Sequence, residues 1–160
     1  MQRRPNSLKL SLGILILALL CAIGCSRDQA SKTSSDAVRE SRSQDLRSAE
    51  NNSPAQNKEL ARYLIRKNYQ QWNGSQELSC LERLWERESH WNHRAVNKRT
   101  GACGIPQSYP CSKMKGMGAE YGVNHRRNPW PQIAWGLGYI ENRYGSPCAA
   151  WKRFQRGGGY

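Results

Sequence analysis

Residues 85–107 constrain this chain most, because an apolar helix ends there beside a carboxylate and a glycine-bounded loop follows. The helix is indicated by apolar residues at helical spacing, which form one buried stripe: Leu78, Leu81, Leu84 and Trp85. Glu88 follows Leu84 by one helical turn, so it lies at the edge of this stripe and near the end of the helix.

Glu88 is the candidate catalytic acid. The negative end of the helix dipole and the apolar side chains of Trp85 and Trp91 all disfavour an ionised carboxyl, so they predict a raised pKa. A general acid that works near neutral pH needs such a pKa. The alternative is an ordinary solvated helix carboxylate, as expected for Glu82 or Glu86.

The loop after the helix strengthens the catalytic interpretation. Gly101 and Gly104 bracket small residues, which lets the backbone approach a ligand closely, and Gln107 follows. With these residues, the chain resembles the lytic transglycosylases of the soluble (SLT, goose-lysozyme-like) superfamily over residues 76–156. The matching motifs occur in the family's order: Glu88-Ser89, Trp91, Ala95, 101–107, Asn128-Pro129, Gln132-Ile133, 136–140 and 143–145.

The resemblance implies a role for each of four residues. Glu88 would be a single acid/base, Ser89 would orient it, Gln107 would bond the sugar N-acetyl group, and Tyr139 would face Glu88. The plainer alternatives are a polar helix end for Ser89, a turn residue for Gln107 and a core aromatic for Tyr139. The chain departs from the commonest family pattern at His93, where Pro often stands, and at Pro106, which has no backbone donor.

The implied activity is peptidoglycan lytic transglycosylation, which leaves a 1,6-anhydromuramic acid end. A hydrolytic muramidase on the same fold would use a second carboxylate. No Asp follows Asp45, and the candidates for that second group are Glu120 and Glu141. A non-catalytic wall-binding protein with the same fold is the third alternative.

Residues 1–25 read as an export signal. Basic residues precede an apolar run over 10–20, and small residues precede Cys25. Gly24-Cys25 also resembles a lipoprotein processing site, at which Cys25 would carry lipid and attach the protein to the membrane; simple secretion is the alternative. Either interpretation places the protein in the periplasm or outside the cell.

The rest of the chain divides into a linker and one domain. Residues 26–53 hold scarcely any large apolar residue, so we expect a disordered linker. Residues 54–160 are expected to form a mainly α, lysozyme-like domain of several short helices with little or no β structure. The helices are predicted at 54 to about 72, about 76–89, 112–118, 129 or 131 to about 144, and 147 to about 154.

Four cysteines lie in the exported domain, where oxidation is favoured. Three pairings are open to them, and we predict Cys103–Cys111 and Cys80–Cys148. A zinc site formed by cysteines with histidines is disfavoured, because no close Cys-x-x-Cys pair exists. No metal and no cofactor are therefore expected.

The formal net charge of +13 predicts an anionic partner. Peptidoglycan glycan strands and their attached wall polymers are anionic, and we expect the protein to act on them as a monomer. A nucleic-acid partner is disfavoured by the export signal and by the absence of a standard nucleic-acid motif. Of the aromatics, Trp85, Trp135 and Trp151 are predicted to lie in the core.

Overall fold

The structure is a computed structural model that describes residues 34–45, 48–157 and 159. The expected signal segment at 1–25, with Cys25, lies outside these residues. The chain divides into two compact units, Met1–Ser41 and Arg42–Tyr160, and all elements after residue 45 belong to the second. No helix in the described ranges is long and apolar enough to cross a membrane.

Within the described residues the fold is mainly α, as the sequence predicts. The five α-helices are α1 at 34–45, α2 at Pro54–Asn68, α3 at Ser75–Ser89, α4 at Pro129–Tyr144 and α5 at Pro147–Gln155. Short 3-10 helices occupy Ala49–Asn51, Gln70–Trp72, Cys111–Met114 and Ala119–Tyr121. The β structure found in this part is limited to isolated bridges, from Cys103 to Val96 and to Ser108.

The structure differs from the linker expected over 26–53, because residues 34–45 are helical. The composition of this segment predicts that it cannot form a hydrophobic core. Most of α1 is indeed exposed, and Val38 is 66% exposed. A solvated helix needs no core when its residues have adequate helix propensity, as Ala37 and Arg39 do. The exception is buried Ser43, whose hydroxyl donates to the Tyr121 carbonyl oxygen at 3.3 Å.

Three of the described helices begin at residues whose side chains cap them. Ser53 caps α2 in a reciprocal capping box with Gln56 and is followed by proline. Asn128 and Ser146 cap α4 and α5 through their side chains, and each of these helices also begins with proline. The short helix predicted over 112–118 is the 3-10 helix Cys111–Met114 and does not extend to Gly116 and Gly118.

One hydrophobic core joins α2, α3, α4 and α5. The predicted stripe on α3 faces it, with Leu81, Leu84 and Trp85 buried and Leu78 partly buried. Trp151 packs against this core as predicted, whereas Trp135 packs against a smaller cluster that contains Cys103 and Cys111. Trp135 keeps part of its ring exposed because it lies at the edge of α4 beside a pocket.

Both predicted disulfides are present in the structure. Cys80–Cys148 joins the second turn of α3 to the first turn of α5, with the Cα atoms 4.9 Å apart. Cys103–Cys111 closes the loop that contains Gln107, with a Cα separation of 5.5 Å. The first bridge therefore holds two helices together, and the second fixes a loop beside the end of α3.

Candidate active site

The end of α3 is shaped by two consecutive residues in the left-handed region. His90 has φ 53° and Trp91 has φ 59°, so α3 ends in a left-handed turn at its C-cap. Trp91 is buried, meets Trp85 edge to face at 5.1 Å, and donates from its indole Nε1 to the Glu82 carbonyl oxygen at 3.2 Å. An aromatic pair therefore lies one turn before and just after Glu88.

Glu88 has the environment that the sequence predicts for a general acid. Its side chain is half-buried, and loss of solvation raises its pKa to about 7. Among the described residues no hydrogen bond or ion pair reaches its carboxyl group. A substantial fraction of Glu88 therefore holds a proton near neutral pH, and both carboxyl oxygens are available to a ligand.

The Ser89 hydroxyl contacts a loop. This side chain is buried, and its hydroxyl donates to the Ile105 carbonyl oxygen at 2.9 Å, with the Trp85 carbonyl oxygen at 3.3 Å. Ser89 therefore connects the last turn of α3 to the segment that leads to Gln107. Its implied role in orienting Glu88 stays a prediction.

Gln107 lies in a tight turn within the loop closed by Cys103–Cys111. Its φ of 48° is left-handed, and its amide Nε2 donates to the Gly104 carbonyl oxygen at 2.9 Å. The backbone of Cys103 and Ser108 pairs in both directions at 3.0–3.2 Å across this turn. Nε2 uses one of its two N–H groups inside the turn, and the Gln107 side-chain oxygen can accept a bond from a ligand N–H.

Gln107 and Tyr139 line the same small pocket. The pocket has a volume of about 100 Å³, and its walls include Pro106, Gln107, Tyr109, Lys113, Trp135 and Tyr139. Tyr139 stacks on Trp135 at 5.1 Å, and burial followed by a hydrogen bond with Tyr144 raises its pKa. Glu88 is not one of the residues that line this pocket.

Close packing at Gly136 links the helix of Glu88 to the pocket. A Cβ atom at Gly136 would lie 2.7 Å from the Trp85 ring and 3.1 Å from the Pro106 side chain. Only glycine therefore lets α4 contact both α3 and the loop at this point. Glu88 lies one turn after Trp85, and Tyr139 lies one turn after Gly136.

The structure adds Gln132, for which the sequence indicates no individual role. This side chain is fully buried on α4, and its Oε1 accepts from the Ile105 backbone N–H at 2.9 Å. Its Nε2 donates to the carbonyl oxygens of His93 and His125, each at 2.9 Å. Gln132 therefore joins three loops around the site. The sequence signal that could have indicated Gln132 was its polar side chain beside Ile133, on an otherwise apolar face of the predicted helix.

His93, which departs from the family pattern, also has a structural role. Asn57 donates from Nδ2 to His93 Nδ1 at 3.1 Å and to the Trp91 carbonyl oxygen at 2.9 Å. His93 Nε2 then donates to the Glu50 carbonyl oxygen at 3.0 Å, which defines a neutral tautomer. Burial lowers the pKa of His93 and favours that state.

The other glutamates of the domain differ in their surroundings. Glu141 stands two residues from Tyr139 on α4, which places the two about 200° apart around the helix. Its charge, after burial, contributes to the raised pKa of Tyr69. The side chain of Glu120 lies outside the described set. Four other glutamates have polar partners: Glu59, Glu77, Glu82 and Glu86.

No group of three or more His, Cys, Asp or Glu residues in the described ranges could hold a metal ion. The four cysteines of the domain are consumed by the two disulfides. The chemistry available at the site is therefore that of a carboxyl group, an amide, a phenol and aromatic rings.

Comparison with known proteins gives a family match. The family model of the transglycosylase SLT domain matches residues 75–154, which is half of the chain and spans α3 to α5. Neither the curated proteins nor the solved structures gave a significant match. The matched range contains Glu88, Gln107, Gln132 and Tyr139, and the helical fold agrees with that of the lysozyme-like superfamily. The chain belongs to the transglycosylase SLT domain family.

Proposed function

We propose that the protein is a peptidoglycan lytic transglycosylase that cleaves the β-1,4 bond between N-acetylmuramic acid and N-acetylglucosamine. Glu88 is its single acid/base, and the product carries a 1,6-anhydromuramic acid end. SLT domains act on peptidoglycan, outside the cytoplasm, and this general activity is the starting point of the proposal.

The reaction needs one carboxyl group and no water. The Glu88 carboxyl donates its proton to the glycosidic oxygen as the bond from that oxygen to the muramic acid C1 breaks. The substrate's N-acetyl oxygen stabilises the positive charge that develops at C1. The Glu88 carboxylate then takes the proton of the 6-hydroxyl while O6 bonds to C1, which returns Glu88 to its protonated form.

The observation that carries the proposal is the state of Glu88. Its pKa of about 7 supplies a proton at neutral pH, and its carboxyl has no partner among the described residues that would compete with substrate. Glu86 supplies the contrast, because a hydrogen bond from Lys58 lowers its pKa. An acid that must donate a proton and then recover it needs the environment of Glu88, not that of Glu86.

The neighbouring residues would bind and position the sugar. The Gln107 side-chain oxygen is suited to accept from the N-acetyl N–H, and Tyr139 offers a phenol hydroxyl in the same pocket. Ser89 would act through the loop bond to Ile105. We further propose that the protein is exported as a monomer and is held at the membrane by lipid on Cys25.

The test is a matched pair of variants assayed by release of soluble fragments from purified peptidoglycan. Glu88→Gln keeps the side-chain shape and removes the titrating proton, so turnover should fall about 10³-fold. Glu86→Gln changes an exposed carboxylate two residues away and should retain turnover. Substantial turnover in Glu88→Gln would assign the acid to another residue, and equal losses in both variants would indicate damage to α3.

A further inference from the structure

A second pocket lies at the N-terminal end of α4. Its volume is about 500 Å³, within the range of small-molecule sites. The walls come from the end of α1, from the residues between α1 and α2, from α2 and from the start of α4. They include Arg42, Asp45, Asn52, Leu60, Tyr63 and Trp130. All of these residues belong to the unit Arg42–Tyr160.

This pocket is separate from the candidate active site. Trp130 and Tyr139, one from each pocket, lie nine residues apart on α4. At the rise of an α-helix this is about 14 Å along the axis. The second pocket shares no lining residue with the first, so a ligand in it would contact the protein away from Gln107 and Tyr139.

The wall that precedes α2 is fixed to the domain. Ser43 donates to the Tyr121 carbonyl oxygen, and the Arg42 guanidinium lies 5.4 Å from the centre of the Tyr121 ring. Further along, the Glu50 carbonyl oxygen accepts from His93 at 3.0 Å and from the Arg94 guanidinium at 2.7 Å. The pocket is therefore bounded by anchored residues on this side.

The lining combines an aromatic surface with hydrogen-bonding groups. Tyr63 is 48% exposed, and Leu60 and half-buried Trp130 extend the apolar area. The Asp45 carboxylate and the Asn52 amide have no hydrogen-bond partner in the described part of the chain. A pyranose ring presents C–H groups on its face and hydroxyls at its edge, which matches this division.

The charge of the lining favours an uncharged ligand. Arg42 and Asp45 carry opposite charges and are the charged residues in the described lining. A polyphosphate or an anionic lipid would call for several cations without a nearby carboxylate. A neutral sugar can use both groups, since hydroxyls donate to carboxylates and accept from guanidinium groups.

We propose that this pocket is a second, non-catalytic site for a pyranose unit of the N-acetylhexosamine class, by which the protein holds a glycan strand. The choice of a glycan rests on the proposed function. The site would raise affinity for long strands and leave the bond-breaking residues unchanged.

The test uses the indole N–H signals of the full chain in detergent solution, observed by NMR in the Glu88→Gln background. Trp130 reports on the second pocket and Trp135 on the candidate active site, and replacing each with Phe assigns its signal. The probe is a soluble β-1,4-linked trimer of N-acetylglucosamine. The trimer should shift the Trp130 signal in a saturable manner.

Variants of residues that line the second pocket test whether the trimer binds there. Tyr63→Ala should raise the Kd read at Trp130 about tenfold, through loss of the stacking surface, and leave the Trp135 curve unchanged. Tyr63→Phe keeps the ring and should bind as the parent does. Asp45→Asn, at an exposed position, should also weaken binding and serves if Tyr63→Ala fails to fold.

Two outcomes would overturn the second site: a Trp130 signal that stays still at saturating trimer, or a Kd unaffected by both Tyr63→Ala and Asp45→Asn. These outcomes are distinct from failure of the proposed function. That failure would appear as absence of cleavage by the unmodified protein, whatever the Trp130 signal does.

Discussion

Glu86 and Glu88 lie two residues apart on α3 and have opposite environments. Glu86 is exposed and bonded to Lys58 at 3.1 Å, and this bond lowers its pKa. Glu88 points about 200° away around the helix, where burial raises its pKa to about 7. The position of a residue on one helix therefore decides whether its carboxyl has a lowered or a raised pKa.

The raised pKa of Glu88 predicts a specific dependence of stability on pH. The ordinary Glu pKa is 4.5, so the folded protein binds this proton more tightly than the unfolded chain does. The contribution is full below pH 4.5 and is lost as pH rises to about 7. At about 1.4 kcal/mol per pKa unit the loss is at most about 3.5 kcal/mol, and it is smaller because solvent reaches part of the carboxyl.

The measurement is urea unfolding of the unmodified protein and of Glu88→Gln across this pH range. Subtraction of the two free energies of unfolding removes the contributions of other groups. The unmodified protein should lose stability relative to the variant as pH rises from 4.5 to 7. A difference that is flat with pH, or that increases, would contradict the buried, protonated state of Glu88.

The loop of residues 101–110 depends on an element distant in sequence. Gln132 on α4 bonds the Ile105 backbone, and Gly104 contacts the Gln132 side chain so closely that a Cβ atom would lie 2.5 Å from Oε1. Because the Gln132 amide is buried and bonded on both ends, it has no free direction in which to move. The loop that bears Gln107 is thus positioned by α4.

Gly104→Ala is expected to destabilise the fold by about 2–4 kcal/mol and to reduce turnover. The methyl group would clash with Gln132, and the φ of 74° would be strained for alanine. Thermal unfolding and fragment release from peptidoglycan measure the two effects.

Gly101→Ala is the matched control for this variant. Gly101 has a similar φ of 82°, but no atom lies within 4 Å of the position that an alanine methyl group would occupy there. Gly101→Ala should therefore lower the free energy of unfolding only through backbone strain, by about 1 kcal/mol. Equal destabilisation by the two variants would mean that contact with Gln132 does not position the loop.

The helices and the site differ in how far sequence could predict them. Periodicity and caps such as Ser53 are local signals, so α3 to α5 were predicted nearly to their ends, whereas α2 ends at Asn68 and not near residue 72. The bonds of Gln132 and the left-handed turn at Gln107 depend on contacts between segments far apart in the chain. The resemblance indicated Gln107 and Tyr139, but only the fold places them in one pocket.

At the scale of the whole molecule, two disulfides connect the SLT domain in different ways. Cys80–Cys148 spans 68 residues and links α3 to α5, whereas Cys103–Cys111 spans 8 residues within the site loop. In the chain-entropy model a long loop stabilises more than a short one. The first bridge therefore serves the fold as a whole, and the second serves the loop.

Paired serine substitutions should separate these contributions. Replacing Cys80 and Cys148 should lower the free energy of unfolding by about 4 kcal/mol, and replacing Cys103 and Cys111 by about 2.5 kcal/mol. Only the second pair should lower turnover by more than its loss of folded protein explains. Unchanged stability on removal of either pair would refute that bridge, and a larger loss from the 8-residue loop would contradict the entropic account.

The structure of the segment that precedes α2 was not predicted by its composition. The scarcity of apolar residues in 26–53 indicated a disordered linker, yet part of it is helical and part is bonded to the domain through Ser43 and Glu50. Few apolar residues are needed when hydrogen bonds to Tyr121 and His93 supply the attachment. These partners lie far along the chain, so no local pattern indicates them.

The most direct test of the central claim is the mass of the fragments released from purified peptidoglycan, compared with those from Glu88→Gln. Fragments that end in 1,6-anhydromuramic acid, and that are missing with the variant, are the predicted result. Reducing-end fragments, heavier by one water, would contradict it and indicate a hydrolytic muramidase with a second carboxylate. Retention on the insoluble wall without any cleavage would contradict it in favour of a wall-binding protein.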